Sequence, residues 1–86
     1  MAHVKLRGPL KRLAGDSGQL TVDGETVAAV LLALERDQPA LRGWILDERG
    51  AVRRHINVFV SGDYATGETA VGPADRIDVL PAISGG

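Results

Sequence analysis

Val4 and Leu6 alternate with His3, Lys5 and Arg7, the period-two pattern of a strand with one buried face. Gly8-Pro9 ends that run. Leu10 to Gly18 carries no sustained period and is expected to form a loop, with Gly15-Asp16-Ser17-Gly18 as its turn-rich end. Leu20 and Val22 alternate with Gln19, Thr21 and Asp23, which predicts a second strand and a long-looped hairpin with the first. The period then changes. Val27, Val30, Leu31 and Leu34 recur at helical spacing and fall on one face, with Glu35 and Arg36 near the helix end. Thr26 is the expected N-cap, with Asp23 as the alternative. Pro39 disfavours helix at Gln38, so the helix should stop between Arg36 and Gln38. Pro39 can itself open a short helical turn carrying Leu41, Trp44 and Ile45.

Asp47-Glu48-Arg49-Gly50 reads as a polar turn, and from Val52 or Arg53 the period returns to two. Ile56, Val58 and Val60 alternate with Asn57, Phe59 and Ser61. Ser61-Gly62-Asp63 is a turn, Tyr64 to Val71 an irregular stretch with a short strand, and Gly72-Pro73-Ala74-Asp75 another turn. Ile77 and Val79 mark a last strand. The order is β-β-α-β-(β)-β. One amphipathic helix can cover one face of one mixed sheet, and Val4, Leu6, Leu20, Val22, Ile56, Val58, Val60, Ile77 and Val79 can all point at it. The expected class is α+β, a β-grasp (ubiquitin-like) roll; several strand orders satisfy the same pattern. The expected division is a folded domain over 1–80 and a flexible C-terminal tail over 81–86.

Composition narrows the chemistry. The chain has 86 residues, suited to one small domain, and 44% are hydrophobic, enough for a core. It holds no cysteine, which excludes a disulfide scaffold, a thiolate metal site and a cysteine nucleophile. The net charge of −1 gives no bulk attraction to nucleic acid or anionic lipid, and no run reaches the ~20 apolar residues of a membrane span. A soluble, unprocessed, cytoplasmic domain is the expectation. His3 and His55 have no HxxxH or HExxH partner, the serines sit in no nucleophile elbow, and no Gly-rich phosphate loop is present. Asp37, Asp47 and Glu48 read as solvated turn or helix-end acids, and Arg53-Arg54-His55 as a solvated strand start rather than a contact for an acidic partner.

The chemistry then falls to the C-terminal Leu80-Pro81-Ala82-Ile83-Ser84-Gly85-Gly86. Gly85 and Gly86 carry no side chains, so this end can enter a channel too narrow for any other dipeptide. The terminal carboxylate is an anion at neutral pH and a poor electrophile, so it needs activation, as in an acyl adenylate made from ATP. With no phosphate-binding loop here, a second protein must supply that site. Pro81 aims the tail off the sheet, and six residues reach about 20 Å when extended. Phe59 and Leu80 are out of phase with the inward alternation and form the expected partner-binding patch on the open sheet face.

Ile56-Asn57-Val58-Phe59-Val60-Ser61-Gly62-Asp63, the Gly72–Asp75 turn and Ile77-Asp78-Val79-Leu80-Pro81-Ala82-Ile83-Ser84-Gly85-Gly86 resemble the MoaD/ThiS family of sulfur carrier proteins. The turn at Asp47–Gly50 resembles the CysO-like branch. Ser61 stands where the family often has Asn, Pro73-Ala74-Asp75 replaces a Gly-Asp-Glu run, and Ser84 replaces Ala or Thr. The resemblance implies a β-grasp fold and a Gly86 carboxylate adenylated by an E1-like enzyme using ATP and Mg. Conversion to a thiocarboxylate follows, with sulfur donated to a biosynthetic acceptor enzyme. It implies a co-substrate rather than an enzyme, no cofactor bound by this chain, and a Leu80 that packs on the activating enzyme. The rival readings are a ubiquitin-like modifier joined to lysines through Gly86, a small subunit completing a partner enzyme's active site, and a plain binding module.

Overall fold

The structure, a computed structural model, describes residues 2–15 and 18–81. The first alternation becomes β1 (Ala2–Leu6), with Ala2, Val4 and Leu6 buried. The second becomes β2 (Gln19–Val22), antiparallel to β1 with Val4 opposite Leu20. Val22 is buried, while Leu20 is only partly covered because β2 lies at the sheet edge.

The expected loop from Leu10 to Gly18 is corrected in its first half. Pro9–Leu13 is a short helix, α1. Pro9 occupies the first helical turn, where its missing N–H costs nothing, after Gly8 at φ 62°. Buried Leu10 anchors the turn to the core. One apolar anchor is too few to show a helical period.

The main helix, α2 (Val27–Asp37), forms as the spacing predicts, with Val27, Val30, Leu31 and Leu34 buried. Thr26 caps it, its Oγ1 accepting a hydrogen bond from the Ala29 N–H at 3.2 Å. Gln38 ends it, and Pro39–Leu41 continue as a 3-10 turn. Of the residues expected in that short turn, Leu41 and Ile45 are buried and Trp44 is half exposed.

The third strand starts later than the alternation suggests. β3 is Ile56–Val60, and Val52 instead pairs with Leu46 in an isolated bridge that closes the Asp47–Gly50 turn. The Arg53 N–H donates to Ile45 O and the Ile56 N–H to Arg53 O, so the chain turns through 53–56 before extending. β4 (Asp63–Ala65) follows a two-residue turn at Ser61-Gly62, so Asp63 belongs to the strand and not the turn. Ser61 at φ 49° and Gly62 at φ 93° both sit in the left-handed region, the geometry of a tight hairpin. β5 (Arg76–Pro81) is the last strand.

Among the described residues five strands make one mixed sheet, in the order β2-β1-β5-β3-β4. β5 runs parallel to β1 and antiparallel to β3, so the first and last strands meet at the sheet centre. α2 covers one face. Its apolar stripe packs with Val4, Leu6, Ile56, Val58, Val60, Ile77 and Val79 in one core. This is the β-grasp arrangement that the alternation predicts.

Candidate functional site

The uncovered face of the sheet carries the residues that alternate with the core. His3 and Lys5 of β1 stand beside Arg76 and Asp78 of β5 in parallel register. Leu80 stands opposite Asn57, and Asp78 opposite Phe59. Phe59 in turn pairs with Tyr64 across β3 and β4. The face therefore grades from cationic at β1 to aromatic at β4.

Phe59 and Leu80 lie on this face as their parity predicts, but both are half-buried rather than exposed. They occupy diagonal positions on adjacent antiparallel strands. The exposed member is Tyr64, 68% accessible, whose ring meets Phe59 edge-on at 5.7 Å between centroids and 77° between planes. Such a pair adds about 0.5–1.5 kcal/mol beyond its buried area and holds both rings in place. Sequence reasoning missed Tyr64 because Tyr64 to Val71 has no clear period; the Ser61-Gly62 turn is the signal that could have placed it opposite Phe59.

Asp78 stands between two guanidiniums. Arg7 Nη2 is 3.8 Å from its Oδ1, and Arg76 Nε is 3.8 Å from its Oδ2. Both contacts are ion pairs outside hydrogen-bond range. Asp78 Oδ1 is buried and has no hydrogen-bond partner. Lys5 is the β1 residue in register with Asp78. None of these charged residues was singled out by the sequence reading, since Lys5 and Arg7 lie far from Arg76 and Asp78 along the chain and only the β1–β5 pairing brings them together.

Pro81 is the last residue of β5 and lies opposite Ile56. A Cβ placed on Gly8 would be 3.6 Å from Pro81 Cγ, so the exit of β1 and the root of the tail are neighbours. The Arg7 N–H donates to Val79 O at 3.3 Å on the same side. Ala82, Ile83, Ser84, Gly85 and Gly86, the expected reactive tail, lie outside the described residues.

Two acids fasten the loops that frame the sheet. Asp75 Oδ2 accepts the Gly72 N–H at 2.7 Å, and its Oδ1 accepts the Ser61 hydroxyl at 2.9 Å. These bonds, Gly72 first, hold the Asp75 carboxyl below its ordinary range. The same interaction ties the β3–β4 turn to the start of β5. Asp47 Oδ1 accepts the N–H groups of Ala51 and Arg49, and chiefly the Ala51 bond lowers its pKa as well. Asp47 is thus the clamp of its turn rather than a free surface acid. Arg53-Arg54-His55 lies in the turn before β3, with Arg54 and His55 exposed.

Among the described residues no cluster of His, Cys, Asp or Glu is placed to hold a metal, and no helix is long and apolar enough to cross a membrane. The arrangement is an open sheet face, part cationic and part apolar, beside Pro81, the last described residue.

Comparison with known proteins bears on the family to which this fold and sequence belong. The sequence model of the ThiS family matches residues 4–86. The sulfur carrier protein CysO of Mycobacterium tuberculosis is 26% identical over 83 residues, covering 90% of this chain and 89% of that protein. The crystal structure of SAMP1 from Haloferax volcanii is similar at 34% identity and a TM-score of 0.83, covering 99% of this chain and 98% of that one. A chain in the crystal structure of the Amycolatopsis orientalis BexX/CysO complex matches the fold at a TM-score of 0.87 and 23% identity, over the full length of both.

Proposed function

Because the chain belongs to the ThiS family of sulfur-carrier, ubiquitin-like proteins, we propose that it is a sulfur carrier whose Gly86 carboxylate is the working group. An E1-like enzyme supplies the site for ATP and Mg. A carboxylate oxygen of Gly86 attacks the α-phosphorus of ATP, forming the acyl adenylate and releasing pyrophosphate. Hydrosulfide supplied at the partner's site then attacks the acyl carbon; the C–S bond forms as the C–O bond to AMP breaks, AMP leaves, and the chain ends in a thiocarboxylate. This chain acts as co-substrate, and a biosynthetic enzyme accepts the sulfur.

The observation that carries this reading is that the family match runs through Gly86, so it includes the terminal pair and not the fold alone. The geometry supports it. Pro81 ends β5 beside the open face. Five further residues span at most about 18 Å, enough to enter a buried site while the face docks outside it. The A. orientalis relative, solved as a complex with BexX, supports a carrier that works on a partner enzyme.

A second reading has its own support. The H. volcanii and Methanosarcina acetivorans relatives at 34% identity are SAMP1 proteins, the latter described as a small archaeal modifier protein, which favours conjugation of Gly86 to lysines. One experiment separates the two. The purified chain is incubated with ATP and extract of its own cells, and its intact mass is read. A gain equal to sulfur replacing oxygen on the free chain, absent when Gly86 is deleted, is the carrier outcome. High-mass adducts through Gly86 are the modifier outcome. Neither, with cellular function surviving the deletion, overturns both.

A further inference from the structure

The open face is uneven in charge, and the unevenness has a direction. Residues 3–15 contain Lys5, Arg7, Lys11 and Arg12 and no acid, although the whole chain carries a net charge of −1. Lys5 and Lys11 are also the only lysines of the chain. On the open face itself Lys5, Arg7 and Arg76 gather around one carboxylate, Asp78, so this half of the face is positive against the trend of the molecule.

Asp78 does not cancel that charge. One carboxylate faces two guanidiniums, each 3.8 Å away, and neither contact is a hydrogen bond. The Arg7 and Arg76 side chains remain 49% and 64% accessible. Asp78 itself is largely buried, and because neither contact is a hydrogen bond, both guanidiniums keep their N–H donors for other acceptors. Next to them, Leu80 and the Phe59–Tyr64 pair supply a small apolar surface. Three apolar side chains give adhesion but little choice of partner. Charge placement supplies specificity and encounter rate.

We propose that the enzyme that activates the C-terminus meets this face with an acidic surface. Its apolar part covers Phe59, Tyr64 and Leu80, and its carboxylates pair with Lys5, Arg7 and Arg76. The inference rests on the carrier reading and adds the chemistry of the partner. Two observations name the occupant: the positive half adjoins the apolar patch in the strand register, and it borders the root of the tail through Gly8 and Pro81. A partner that takes in the tail must pass over this corner. The net charge of −1 gives nucleic acid no bulk attraction, and the positive charge is confined to a few side chains beside an apolar patch, which suits a protein surface with a few placed carboxylates.

The test uses the adenylating enzyme purified from the source cells by its ATP–pyrophosphate exchange with the wild-type chain. Raising salt from about 50 to about 500 mM should raise the KM for the wild-type chain with kcat unchanged, because screening weakens steering. The double variant Lys5→Gln/Arg76→Gln should raise KM about tenfold and flatten the salt dependence. Arg36→Gln/Arg49→Gln, on α2 and its neighbouring loop, should leave both as they are. The salt arm needs no variant, so misfolding cannot mimic its result. A KM indifferent to salt, or equal in the two double variants, overturns the acidic partner, while exchange itself upholds activation of the C-terminus, on which the carrier reading depends. If no fraction of the cell extract catalyses exchange with the wild-type chain, the carrier reading and this proposal fall together.

Discussion

Glu35 is buried on α2, and its Oε2 accepts the N–H groups of Ile45 and Leu46 at 3.1 and 2.9 Å. The carboxylate thereby fixes the loop that follows the 3-10 turn and seats Ile45 and Leu46 in the core. Charge-assisted bonds to backbone amides are stronger than neutral ones. Glu35→Gln keeps the volume, weakens both bonds and buries an amide with donors to satisfy. It should cost about 1.5–3 kcal/mol in urea unfolding and speed hydrogen exchange at the Ile45 and Leu46 amides. A variant as stable as wild type, with those amides still protected, would show that packing alone holds the loop. The sequence carried part of this signal. Glu35 lies four residues after Leu31 and so on the buried stripe, yet the expected role near a helix end ignored that position. Its partners are backbone amides of an irregular loop, which no side-chain pattern can mark. Phe59 and Leu80 were legible for the opposite reason, since parity on a strand needs only the strand.

At the scale of elements, the approach of the chain to α2 depends on Gly24. A Cβ there would sit 2.6 Å from Val30 Cγ2 and 2.8 Å from the Val30 backbone nitrogen. The side-chain methyl can move; the backbone of the first helical turns cannot. Gly24→Ala should therefore destabilise the fold by about 1–3 kcal/mol, read as a lower denaturant midpoint at unchanged slope. A midpoint equal to wild type would mean that the segment before Thr26 shifts freely. α2 was legible to within a residue because its cap, its stripe and its proline stop agree. α1 and the true start of β3 were not. α1 rests on one buried leucine, and Val52 mimics the phase of a strand while pairing elsewhere. Short elements are fixed by tertiary contacts, and local period carries too little of that information.

Across the whole molecule, stability depends on charge as well as packing. Asp75 and Asp47 both have pKa values held below the ordinary aspartate range by hydrogen bonds to their ionised forms, from Gly72 and Ala51 first. A folded-state value below the unfolded one means that the stabilisation is present above the unfolded pKa of about 3.9 and is lost as pH falls through the folded values. Melting temperature should thus drop below about pH 4, and Asp47→Asn/Asp75→Asn should show a shallower drop over that window. Parallel acid profiles for the two chains would refute the assignment. The class of fold was legible because alternation and helix stripe demand two layers. The strand order was not, because a parallel pairing of β1 with β5 spans nearly the whole chain and leaves no local trace.

That central pairing also orders events during synthesis. β5 fills the slot between β1 and β3, so the sheet cannot close until the last strand has left the ribosome. Contacts so distant in sequence form late, and the earlier strands wait without their middle partner. Copies truncated before β5 leave the inner edges of β1 and β3 unpaired and are open to proteolysis. Folding thus serves as an inspection of the chain, passing only molecules whose translation has reached the threshold of the tail.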